Sequence, residues 1–362
     1  MKWDSTRVFV TGHTGFKGSW LSEWLLHLGA EVYGFSLPSP TDPALFEQLD
    51  LGRRITRHTI ADVCDRAAVD RAIESAQPDF IFHLAAQSLV LQSYADPVGT
   101  FATNALGTAH VLDAARRLNR RCVVVVVTTD KCYENREWLQ GYREDDPLGG
   151  HDPYSASKAC AELVTAAYRR SFFKEGDPVA VASARAGNVI GGGDWARHRI
   201  VPDCMRALAR GEAIQVRNPV ATRPWQHVLE PLGGYLLLAS NLAEAQVRGD
   251  RSRLSALCGP FNFGPRLEAN RPVADLVEAV LQGWPGTWEE RVEADGRAPH
   301  EAGRLMLAID KAYHVLGWSP RWNFETTVRE TVRWYREFHG SDARTDSTAR
   351  LLTLEQIQSY SG

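Results

Sequence analysis

Paired cysteines are missing from this chain. Its six cysteines, Cys64, Cys122, Cys132, Cys160, Cys204 and Cys258, form no CxxC pair and stand at no metal-ligand spacing from a histidine. No metal centre is expected, and cysteines scattered singly through 362 residues read as reduced thiols in a cytoplasmic setting. Long apolar runs are missing as well. The longest aliphatic run is Val123–Val127, far too short to span a bilayer. A strand-like run, Arg7–Val10, comes within a few residues of the start, and no charged segment followed by an apolar one precedes it, so no signal peptide is expected. Nor is there a surplus of one charge. With 41 Lys and Arg against 44 Asp and Glu the net charge is −3, which suggests neither nucleic acid nor a membrane surface as a partner. There is no internal repeat and no low-complexity tract.

What is present is an alternation. Strand patterns at Arg7–Thr11, Glu31–Phe35, His58–Ala61, Phe80–Leu84, Cys122–Thr128 and Val179–Ser183 are separated by helical ones at Gly15–Leu28, Ala67–Ala76, Thr100–Leu118 and Pro153–Phe173. Repeated βα units imply right-handed crossovers, hence an α/β fold with a doubly wound, Rossmann-type parallel sheet. The all-β-branched run at Val123–Val127 suits a strand buried on both faces. After about Gly187 the elements shorten and glycine and proline become denser. Pro202–Ala209, Trp225–Ala243, Val273–Leu281 and Thr326–Phe338 read as helices, and Gly191–Gly193 as a loop. This organisation predicts a cofactor domain over 1–186, a smaller α/β substrate-binding region over 187–340 that can interleave with it, and a polar C-terminal tail over 341–362.

The first strand runs into Thr11-Gly12-His13-Thr14-Gly15-Phe16-Lys17-Gly18, and a helix follows. Glycines at 12, 15 and 18 permit a tight turn and a close backbone approach to a pyrophosphate. The helix N-terminus offers free N–H groups and a positive dipole end. Gly12, Thr14, Gly15, Phe16, Lys17 and Gly18 are therefore candidate contacts to a dinucleotide. The second strand ends at Phe35-Ser36-Leu37 with neither an acid for a ribose 2′-hydroxyl nor an arginine for a 2′-phosphate, which favours NAD. Asp62-Val63 follows the third strand; the carboxylate suits an adenine amino group or, equally, a helix N-cap. Leu84-Ala85-Ala86 supplies small side chains where a cofactor would lie against backbone, with Gln87 next and Thr103-Asn104 on the following helix. Asn104 is either a helix-stabilising amide or a hydrogen bonder to ligand.

Tyr154 and Lys158 stand four apart in Tyr154-Ser155-Ala156-Ser157-Lys158, so they share a helix face. A nearby ammonium favours phenolate and makes the tyrosine usable as a base toward a hydroxyl. Alone, such a pair is usually an ordinary surface pair. Here Thr128-Thr129-Asp130-Lys131-Cys132-Tyr133 follows the buried fifth strand, and ligands of open α/β sheets bind beyond the carboxyl ends of strands. Thr129, Tyr154 and Lys158 then form one set at the rim that carries the glycine loop. Cys132 is read as an inert thiol.

The motifs TGHTGFKG, HLAAQ, TTDKCY, DPYSASK and RAGNVIGGGDW are similar to those of sugar-nucleotide enzymes of the extended short-chain dehydrogenase/reductase family, from Val8 to about Trp334. The GxxGxxG spacing is that of the family. Within it, Thr129-Asp130-Lys131, GYRE at 141–144 and RPWQHVLEPL at 223–232 resemble the CDP-glucose 4,6-dehydratases, where relatives acting on dTDP-glucose carry Thr-Asp-Glu. The resemblance implies NAD as cofactor, CDP-glucose as substrate and a homodimer built on the Tyr154–Lys158 helix and the helix before it. It implies that Tyr154 takes the proton of the sugar 4-hydroxyl, with Thr129 hydrogen-bonding that hydroxyl and Lys158 binding the nicotinamide ribose. It further implies that Lys131, or a neighbour, takes the C5 proton and that Asp130 protonates the departing 6-hydroxyl. Gln87, Asn104, Asn188, Arg223, Trp225, Asn262 and Arg304 become candidate substrate contacts. Each arginine can equally be a surface ion pair, and His227 and His300 stand beside them. A 4-epimerase needs no acid–base pair beside the threonine, and a catalytically silent NAD-binding regulator need not keep Thr129, Tyr154 and Lys158, so both alternatives fit less well.

Overall fold

A computed structural model describes residues 3–174, 176–291, 304–340 and 346–362. Seven strands, β1 (Arg7–Thr11), β2 (Glu31–Ser36), β3 (Arg57–Ile60), β4 (Phe80–His83), β5 (Cys122–Thr129), β6 (Val179–Ala186) and β7 (Pro260–Phe263), form one sheet in the order β7-β6-β5-β4-β1-β2-β3. Every pairing in it is parallel. The longer helices are α1 (Phe16–His27), α2 (Arg66–Ala76), α3 (Gly107–Ala115), α4 (Pro153–Phe172), α5 (Ile200–Arg210), α6 (Leu229–Arg248), α7 (Val273–Gly283), α8 (Phe324–Gly340) and α9 (Asp346–Ser361).

The β-branched run explains the layering. Side chains alternate across a strand, so Val123, Val125 and Val127 enter one core with α6 and α8, while Val124 and Val126 enter a second core against α2 and α3. Both faces are apolar and both are covered, as a parallel sheet requires. The order of strands reverses between β1 and β4, and this opens a crevice at their carboxyl ends where ligands of such sheets bind.

Two elements differ from the sequence expectation. The helix read over Trp225–Ala243 begins only at Leu229. Before it, Thr222–Pro224 pairs with Asn270–Pro272 and Gln226–His227 pairs with Val189–Ile190. The Trp225 and Val228 N–H groups donate to Ala269 O and Ile190 O, so the backbone is committed to neighbours and cannot start a helix earlier. The polar tail is the second difference. Its residues 346–361 form α9, which buries Ala349, Leu352, Ile357 and Tyr360 against the core that contains α1; residues 341–345 lie outside the described residues. Strand β7 comes from beyond residue 187 and completes the first sheet beside β6. Among the described residues no helix is long and apolar enough to cross a membrane.

Candidate active site

The glycine loop leaves β1 at Thr11, whose hydroxyl accepts from the N–H groups of Leu84 and Ala85 at 3.1 Å each. Gly12 has φ +75°, and a Cβ there would lie 2.7 Å from Ala85 N. A Cβ on Gly18 would lie 2.1 Å from Gly12 O. Only glycine lets loop, strand end and helix close up in this way. Gly15 caps α1 with no side chain, and the first turn of α1 contains no acid. The N–H groups of that turn are therefore open to an anion, which fits a dinucleotide pyrophosphate at this rim. Thr14 Oγ1 bonds Ser36 Oγ (2.8 Å) and Leu37 O (2.9 Å), which ties the loop to the end of β2.

Asp62 is exposed and accepts the Cys64 N–H at 2.9 Å; the N-cap of α2 is Asp65, which accepts from Ala68 N at 3.0 Å. The capping alternative for Asp62 is thus excluded. Val63 is buried against Gly107, and Thr103 Oγ1 lies 3.7 Å from Cys64 Sγ. Phe16 packs beside Gly191. Leu84, Ala85 and Ala86 are half-buried along the crevice.

Beyond β5 the chain turns through Asp130–Cys132. The Thr129 hydroxyl donates to Asp130 Oδ1 (2.9 Å), and Lys131 Nζ lies 3.6 Å from the same oxygen. Asp130 is buried, while the Lys131 side chain keeps 26% of its exposure and donates to Asn188 Oδ1 at 3.4 Å. A Cβ on Gly187 would sit 2.9 Å from Asp130 Oδ2, so the glycine after β6 makes room for the carboxylate. Asp152 caps α4 by accepting from Ser155 N, and the helix presents Tyr154 and Lys158 to this rim. Lys158 Nζ donates to Val127 O at 3.3 Å.

The phenol of Tyr154 does not have the lowered pKa expected from an adjacent lysine. Burial pushes it up to about 12; its hydrogen bond with Thr129 and the charge of Arg199 pull it down, and Asp130 and Asp152 push it up. Burial lowers Lys158 to about 8, opposed by the charge of Glu162. Lys17 is also lowered to about 8 by burial and by the charges of Lys158 and Arg199, with Asp130 opposing. Its Nζ is 3.5 Å from the Tyr235 hydroxyl. The glycine-loop lysine thus faces the same centre as Tyr154, and so does Arg199, which pairs with Asp194 at 3.0 Å. Arg199 stands in no motif, and nothing in the sequence singles it out.

Four of the residues expected to contact substrate make hydrogen bonds within the protein. Gln87 hydrogen-bonds Leu89 and Thr100. Asn104 accepts from Gln87 N and donates to Gln87 O and Ser157 Oγ, the bonds of a structural amide. Asn262 is fully buried, accepts from the Tyr133 hydroxyl and donates to Tyr142 O and Ala308 O. Trp225 is a core side chain whose indole donates to Arg271 O. Arg223 donates to Thr222 O at 2.8 Å, and Arg304 is exposed, its carbonyl accepting from Asn135. His227 is buried and packs against Trp20 and Trp322. His300 lies outside the described residues. Among the described residues no cluster of His, Cys, Asp and Glu could hold a metal ion, and Cys132 is fully buried with its thiol pushed far up by burial.

A family model described as GDP-mannose 4,6 dehydratase matches residues 9–331. The chain belongs to that family. This dehydratase-family chain is 45% identical over 338 residues to a CDP-glucose 4,6-dehydratase of Salmonella typhimurium strain LT2, covering 92% of this chain and 91% of the relative. Among solved structures it is similar to DesIV, a dTDP-glucose 4,6-dehydratase from Streptomyces venezuelae with NAD and TYD bound. The TM-score is 0.73, the identity 27%, and the match covers 92% of this chain and 98% of that one. A UDP-glucose 4-epimerase from Thermotoga maritima shares the fold at 20% identity and TM-score 0.72, covering 91% and 98%.

Proposed function

We propose that this protein is a CDP-glucose 4,6-dehydratase, converting CDP-D-glucose to CDP-4-keto-6-deoxy-D-glucose. The observation that carries the reading is the buried carboxylate of Asp130 and the ammonium of Lys131, 3.6 Å apart, beside the hydrogen-bonded Thr129 and Tyr154. Support for the nucleotide comes from the 45% identical relative that acts on CDP-glucose. Support for NAD comes from the uncapped start of α1 and from the NAD-bound relative.

NAD, held by residues 12–18, supplies the oxidant for C4 and the reductant for C6. The chain's own residues handle the protons. Tyr154, aligned by Thr129, takes the proton of the 4-hydroxyl as its phenolate, the form that a bound NAD+ and the Lys158 ammonium would favour. The resulting 4-ketone acidifies C5–H. A proton passed from Lys131 to Asp130 leaves an amine and a carboxylic acid, with no change in net charge; the amine takes the C5 proton and the acid protonates the 6-hydroxyl as water leaves. Asn188 steadies Lys131, and Lys158 holds the nicotinamide ribose. Arg223 and Arg304 are the proposed diphosphate contacts, each able to present two donors to phosphate.

The protein acts in the cytoplasm, in keeping with six unpaired cysteines, and as a homodimer, in keeping with exposed apolar side chains on α4 and the helical turns before it. The test is incubation with CDP-, dTDP-, GDP- and UDP-glucose, with mass spectrometry for loss of water and NMR for the 6-methyl group. Product from CDP-glucose alone is expected. Turnover of another nucleotide in preference to CDP, or of none, refutes the reading.

A further inference from the structure

Below the reacting rim lies a charged network that the proton steps do not use. Glu162 follows Lys158 by four residues on α4, so Tyr154, Lys158 and Glu162 occupy one face of the helix. Glu162 is buried and its carboxylate accepts three hydrogen bonds. The Thr128 hydroxyl donates to Oε1; the Ser183 hydroxyl (2.8 Å) and Arg185 Nη2 (2.9 Å) donate to Oε2. Arg185 is buried as well, stacks over the Tyr133 ring at 4.9 Å and donates to the Tyr133 hydroxyl (2.7 Å) and Glu144 O (3.0 Å). One carboxylate thereby joins the end of β5, the strand β6 and the catalytic helix.

Burying an ion pair costs desolvation, and such a pair is weak support for stability by itself. Its position suggests another use. The groups that face Lys158 are Glu162 on its own helix, Cys132 after β5, His83 at the end of β4 and Lys17 on α1. Burial keeps the Cys132 thiol and the His83 ring neutral, and Lys17 carries the same sign as Lys158. Glu162 is the anion of the set.

We infer that Glu162, fixed by Thr128, Ser183 and Arg185 one turn below Lys158 on the same helix face, is a positioning residue that keeps Lys158 an ammonium, seated on Val127 O, for the nicotinamide ribose. This rests on the Lys158 role proposed above. Without the carboxylate, the lysine loses its proton at lower pH, because burial is then opposed by less charge and the buried Arg185 is left without its partner.

The test follows NAD+ binding by calorimetry, and turnover of CDP-glucose, from about pH 7 to about pH 10, where a lysine of this kind titrates. In the wild type both decline as pH rises. In Glu162→Gln the decline sets in about one pH unit lower, close to a tenfold loss of affinity relative to wild type on the alkaline side. Glu162→Asp, which keeps the charge and moves it back, falls between them. Thermal unfolding verifies that each variant is folded. A folded Glu162→Gln whose profile superimposes on the wild type overturns the inference; should Glu162→Gln not fold, a superimposing Glu162→Asp profile does so. If the wild type leaves CDP-glucose untouched, the substrate reading fails while the NAD+ profile still decides the role of Glu162.

Discussion

At the scale of single residues, the site is a balance between burial and charge. Tyr154 is buried, and desolvation outweighs the pull of Thr129 and Arg199, so its phenol stays high; the proposed base role requires a further positive charge beside it, as a bound NAD+ would supply. Tyr154→Phe removes the phenol and keeps the ring. Turnover is expected to fall by about 10²–10⁴-fold with NAD+ affinity retained; a rate within tenfold of wild type would remove Tyr154 from the chemistry. Lys158 makes the opposite trade. Its pKa is lowered to about 8 in the folded chain against about 10.4 unfolded. Keeping it charged therefore costs stability in full below about pH 8, and the cost fades between there and about pH 10.4 as the folded form sheds its proton first. Lys158→Met is expected to raise the unfolding temperature of the cofactor-free protein near pH 7, to raise it less near pH 10, and to suppress turnover. Calorimetric scans at the two pH values check the sign.

At the scale of elements, the phosphate loop shows how little slack the fold leaves. Gly18 on the first turn of α1 faces Gly12 O at a distance no side chain can share. Gly18→Ala is expected to weaken NAD+ binding more than tenfold while costing about 1–3 kcal/mol of stability, as overpacking does; unchanged NAD+ affinity would mean that the loop can shift without consequence.

Such local features were legible in the sequence because they are written in adjacent residues. The βα alternation, the glycine spacing and the Thr129-Asp130-Lys131 turn after a β-branched run each fall within a few positions. Contacts across long separations were not legible. Lys17 meets Tyr235, and Glu162 meets Arg185 on the next strand, by virtue of the crossover geometry. Asn104 and Asn262 sit beside motif residues and read as ligand contacts, yet their amides are consumed by backbone and side chains brought from elsewhere. Helix α9 escaped notice because Leu351 is exposed while Leu352 is buried, so composition alone resembles a polar tail. Its Tyr360 hydroxyl donates to the buried Glu230 at 2.7 Å and its Thr353 hydroxyl accepts from Trp334.

For the whole molecule, the outer face of α4 poses the remaining question. Tyr154, Lys158 and Glu162 point inward, so the helix must show another face outward, and Leu163 on that face is 57% exposed. Leu91, Tyr94, Val98 and Leu106, on the helical turns before β5, are exposed too, and these turns pack beside α4. Where exposed apolar side chains join into one contiguous patch, they mark an interaction surface. A second copy related by a two-fold axis would set the same helices against each other, and a stable interface buries roughly 800 Å² on each partner. Because α4 also carries Tyr154 and Lys158, dimerisation would brace the catalytic helix from behind. Leu163→Glu places a charge in the middle of this face, without touching the site. It is expected to shift the protein from dimer to monomer in sedimentation equilibrium and to lower the unfolding temperature, with turnover falling only as far as the helix loosens. A wild type that sediments as a monomer, or a Leu163→Glu variant that stays dimeric, would assign that face to solvent or the contact to another surface.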